Sequence, residues 1–108
     1  MRKLDFLRHI VNQALTVHGV SAKVTEEVRK VMTLAEARYN FSIYGGNPSK
    51  IADFLLSDDW RVVKQALTSS GYSKVVEAIL RKVIETYDDA RVREIAMREL
   101  ESLRQESK

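Results

Sequence analysis

The chain contains no cysteine, a single proline and a single tryptophan, and only four glycines among its 108 residues. The missing thiols exclude a disulfide framework and thiolate metal sites, so packing alone must hold the fold. A chain of this length is large enough to bury one core without such staples. No apolar run approaches the ~20 residues that a bilayer requires. The opening "MRKLDFLRHIVNQAL" carries Asp5 and Arg8 inside what would be the apolar core of a signal peptide. A soluble, cytoplasmic domain is therefore expected, with no membrane partner. No stretch alternates apolar and polar residues between hairpin turns, so no sheet is expected. The segment "NFSIY", residues 40 to 44, is the one place able to pair as a strand, and it reads as a frayed helix end. Scarce glycine and proline together with many Lys, Arg and Glu residues suit a thermophilic protein.

What is present is charge and helical periodicity. Hydrophobic residues make up 44% and charged residues 31%, with a net charge of +3. Residues 1 to 50 hold eight Lys or Arg against four acids, whereas residues 51 to 108 hold ten against eleven. The first half is thus the basic half. Its Arg2, Lys3, Arg8, Lys23, Arg29, Lys30 and Arg38, with Lys50 and Lys74 at expected helix starts, are the residues a nucleic-acid-binding module would use.

Leu4, Leu7, Val11 and Ala14 recur at intervals of three and four, widened by Ile10 and Leu15, and predict a first helix ending at Gly19. Ser21 or Thr25 can cap a second helix, which runs to about Asn40 with Val28, Val31, Met32, Ala35 and Tyr39 inward. Pro48, preceded by Asn47 as cap, opens a short third helix. A fourth spans about 59 to 69 with Val62, Val63, Ala66 and Leu67 inward. The fifth, about 74 to 86, is the most apolar and is expected to be central, and the sixth spans 89 to about 105. The chain therefore reads as one all-α domain of about six helices in antiparallel hairpins.

Two stretches resemble each other. "DDWRVVKQAL" at 58 to 67 aligns with "DDARVREIAM" at 88 to 97, and "SKIADFLL" at 49 to 56 aligns with "SKVVEAIL" at 73 to 80. An Asp ahead of a helix accepts a hydrogen bond from a free backbone N–H and places negative charge at the positive helix end. The following Val and the small Ala one turn later suit closely packed helices. This pattern resembles the short HEAT-like repeats of the bilin-lyase type over residues 47 to 103, with "DDARVREIAMREL" the nearest match. The resemblance implies a right-handed stack of hairpins over 47–105 capped by helices within 1–46, and a role in presenting an interaction surface. A closed helical bundle is the alternative architecture.

Little here points to catalysis. Asp58, Asp59, Asp88 and Asp89 read as helix caps, and His9 and His18, nine residues apart on one expected helix, fall on opposite faces and cannot share a metal. "YGGNPSK" lacks the glycine spacing and ending of a phosphate loop. No catalytic residue, cofactor or metal ligand is assigned, and a non-enzymatic protein-binding or scaffold module is the expected function. Trp60 is either an exposed anchor for a protein partner or a side chain packed over the neighbouring hairpin. Tyr39, Phe41 and Tyr44 are either core or a sticky partner-binding patch. The seam of Leu4, Leu7, Val11 and Ala14, flanked by Phe6, either folds back as a cap or pairs two copies; its apolar excess leans the reading to a homodimer.

Overall fold

A computed structural model describes residues 7–39 and 48–106. Among them are six α-helices and no strand: α1 (Leu7–Val17), α2 (Ala22–Tyr39), α3 (Pro48–Leu55), α4 (Asp58–Thr68), α5 (Ser73–Thr86) and α6 (Ala90–Glu106). The all-α expectation and the helix count hold. The termini follow the local signals. Ser21 accepts from the backbone N–H of Val24 at the start of α2, and Pro48 opens α3 with a φ the helix already requires. "NFSIY" and Asn47 lie outside the described residues.

Two helices stop at glycines for the same reason. Gly19 and Gly71 have φ of 61° and 84°, left-handed values that cost a side-chain-bearing residue. Each turn donates twice into the helix it closes. Gly19 donates to Thr16 and Val20 to Leu15; Gly71 donates to Thr68 and Tyr72 to Leu67. That is the Schellman pairing, which satisfies otherwise orphaned carbonyls at a helix end. The two turns also meet, because the Tyr72 hydroxyl accepts from the backbone N–H of Ser21 at 3.1 Å.

The packing order places the core. α2 lies along α4, α5 along both α4 and α6, and α3 against α2, α4 and α6. α1 packs on α2 and α5. Contacts between α1 and α5 and between α3 and α6 join elements distant in the chain, as a closed bundle requires, whereas the α2–α4 pairing is one that a hairpin stack also makes. α5 is central as its composition suggested: Val75, Val76, Ile79, Leu80 and Val83 are all buried. Leu7, Val11 and Ala14 of α1 are buried within the single chain. These three side chains are covered by the chain itself; Leu4 and Phe6 of the same seam lie outside the described residues.

The aligned motifs do not bury aligned residues. Val92 and Ala96 are fully buried on α6, but Val62 on α4 is 50% exposed and Ala66 only partly covered. The core side of α4 is instead Trp60, Val63 and Leu67. Their counterparts Ala90, Arg93 and Met97 are exposed. One residue advances about 100° around a helix, so the two helices sit about one such step apart in rotation. The cause is chemical: α4 offers an indole and Val63 to the core where α6 has the small Ala90 and the charged Arg93.

The Asp pairs diverge in the same way. On α6, Asp89 accepts from the backbone N–H of Val92 at 3.0 Å and caps the helix as expected. On α4 the cap is Ser57, whose hydroxyl accepts from the backbone N–H of Trp60, while Asp58 and Asp59 lie in the first turn. A Ser57→Ala variant is expected to lose about 0.5–2 kcal/mol, read as a lower denaturant midpoint. Asp58→Ala is expected to change it less, because its partner Arg61 is as exposed as itself.

Candidate interaction surface on α2 and α4

Two tethers fix how α2 and α4 run. The start of α2 is held to Tyr72, just beyond the end of α4. Its last turn is held to the first turn of α4, where Arg38 donates to Asp59 Oδ2 at 2.7 Å. The helices are therefore antiparallel. Leu34 precedes Arg38 by four residues and Val62 follows Asp59 by three, so each stands one turn inward from the ion pair on the side facing the other helix. Both are exposed, Leu34 by 61% and Val62 by 50%. Half-buried Val31 and Ala66 continue the seam beneath them.

Three cations stand on the rim, each beside a carboxylate. Lys30 lies one turn before Leu34 and forms only a long, exposed pair with Glu26 at 3.9 Å. Arg38 is more than half exposed despite its bond to Asp59, and Arg61 reaches Asp58 at 3.3 Å on the solvent side. Apolar side chains flanked by the guanidinium groups of Arg38 and Arg61 have the composition of protein-binding hot spots, since these groups combine planar hydrogen bonding with a weakly hydrated face.

The other side of α2 faces α1. There Arg8 bonds both carboxylate oxygens of Glu36, at 3.1 and 3.2 Å, and Arg29 donates to Asn12. The basic residues named from the sequence are thereby dispersed: Arg8 and Arg29 serve the α1–α2 junction, Arg38 the α2–α4 junction, Lys50 and Lys74 the exposed starts of α3 and α5. Lys23 lies exposed at the start of α2. Arg2 and Lys3 lie outside the described residues. No single stripe of unpaired cations forms among those described.

Trp60 is no exposed anchor. It is 1% exposed, packs edge-on to Phe54 with ring centroids 6.0 Å apart, and its indole N–H donates to Glu99 Oε1 at 2.7 Å. Lys64 donates to that same oxygen at 2.7 Å, so one carboxylate on α6 ties down two residues of α4. Tyr39 is half-buried and stacks edge-on with Phe54, again on the core side. Phe41 and Tyr44 lie outside the described residues. Sequence reasoning missed Leu34 and misplaced Val62. A signal for Leu34 existed, because it stands off the Val24, Val28, Met32 and Ala35 stripe that α2 buries.

Among the described residues no three His, Cys, Asp or Glu side chains come together to hold a metal, and no helix is long and apolar enough to cross a membrane. Compared with family models, curated proteins and solved structures, the chain matches none. Its class is given by its own geometry: an all-α domain with six helices among the described residues, with Leu34 on α2 and Val62 on α4 among its exposed apolar side chains.

Proposed function

We propose that this chain is a non-enzymatic protein-interaction module that presents the α2–α4 face to a protein partner. The observation that carries the reading is the exposure of Leu34 on α2 and of Val62 on α4, each one turn from the Arg38–Asp59 ion pair that joins the two helices. Two exposed aliphatic side chains on adjacent helices gain by being covered, and flanking guanidinium groups select an acidic rim on whatever covers them.

The test compares tagged wild type with a Leu34→Asp/Val62→Asp double variant recovered from native cells, with Leu56→Asp as a control on a different exposed aliphatic residue. Because all three sites are exposed, folding stability should stay within about 0.5 kcal/mol of wild type. The expected result is a set of proteins retained by wild type and the control and lost from the double variant. Identical sets on wild type and double variant would remove the proposal.

A further inference from the structure

A second concavity lies away from the α2–α4 face, where α1 crosses α5. Its α1 wall is two rows at four-residue spacing, one of His9, Gln13 and Val17 and the other of Ile10, Ala14 and His18. Ala78 and Lys82, one turn apart on α5, form the opposite wall. The hollow measures about 300 Å³. It exists because small side chains meet at the crossing: Ala14 and Ala78 leave space that larger residues would fill. Both histidines line it although nine residues separate them, because the hollow spans both rows, with His9 on one and His18 at the end of the other.

Two features specify an occupant. Ile10, Ala14, Val17 and Ala78 give the walls aliphatic surface, and Val17 on the rim is 75% exposed. Every ionisable side chain lining the hollow carries nitrogen: His9, His18 and Lys82. No carboxylate lines it; Lys82 pairs with Glu85 at 3.9 Å, and Glu85 is largely exposed, a weak competitor for the ammonium group. A pocket of this size with apolar walls and a few polar groups suits a small amphipathic molecule.

We propose that the α1–α5 hollow binds a small carboxylate with an aliphatic body. The body lies over Ile10, Ala14, Val17 and Ala78, and the carboxylate accepts from Lys82 and His18.

Sodium octanoate tests this on the full chain, followed by amide chemical shifts, with 1-octanol and octylammonium as controls. Octanoate is expected to give saturable shifts confined to α1 and α5. Octanol, lacking the charge, and octylammonium, carrying the wrong one, are expected to bind at least about tenfold more weakly. Lys82→Glu, at an exposed site, should weaken octanoate by about fivefold or more. Ala78→Leu, which fills the hollow, should abolish the shifts. Shifts scattered over all six helices, equal binding of the three probes, or undiminished octanoate binding by Lys82→Glu would each overturn the proposal. Lys82→Glu keeps the test decisive if Ala78→Leu fails to fold.

Discussion

Replacing Trp60 by Ala is expected to cost about 3–5 kcal/mol, the range for deleting a large buried aromatic side chain. The indole is 1% exposed and supports Phe54 edge-on, so its removal leaves a cavity that the rings around it cannot close without leaving their own contacts. Its loss also deprives Glu99 of one of the two donors on Oε1. Trp60→Phe separates these contributions. The phenyl ring retains much of the apolar body and makes no N–H donation, while Lys64 continues to satisfy Glu99, so a smaller loss of about 1–3 kcal/mol is expected. Denaturant midpoints for both variants measure the difference. An unchanged midpoint for Trp60→Ala would mean that the indole is not in the core, and an exposed partner-binding anchor would again be the better reading.

The second large effect is at Ala96. Leucine there adds three carbon atoms to a fully buried site on α6, which packs against α5 and α3, and overpacking of this kind costs about 1–3 kcal/mol. The sequence-equivalent change, Ala66→Leu, falls at the half-buried margin of the α2–α4 seam, where the added atoms can project toward solvent beside Val62. It is expected to stay within about 0.5 kcal/mol of wild type. The contrast matters more than either value. Equal losses at the two positions would mean that α4 and α6 bury the same register, contrary to the rotation that separates them.

Helix existence and most helix ends were legible because their causes are local. Apolar spacing marks the helices, Pro48 marks a start, and Gly19 and Gly71 mark stops at which only a left-handed residue completes the Schellman pairing. The candidate surface was much less legible. Val62 and Val63 are adjacent, as are Ala66 and Leu67, so α4 has a wider apolar arc than a single neighbour can cover. Periodicity alone did not decide which edge of that arc would be left outside. A reading weighted by side-chain size would have taken Trp60, Val63 and Leu67 as the buried stripe and left Val62 out. The repeat alignment pulled the other way, since identity with Val92 suggested a shared environment.

The sequence by itself determined the all-α class, six helices among the described residues with their approximate limits, a central α5 and a core built without disulfides, since spacing, caps and glycine turns act over a few residues. Only the tertiary structure decided the rotation of α4 relative to α6, the change of cap from Asp89 to Ser57, the burial of Leu7, Val11 and Ala14, the presence of both histidines in one hollow, and the exposure of Leu34 and Val62. These outcomes turn on which bulky side chain wins the shared interior and which neighbour covers the rest. Trp60 takes that place on α4, which leaves Val62 exposed and Ala66 half-buried at the edge.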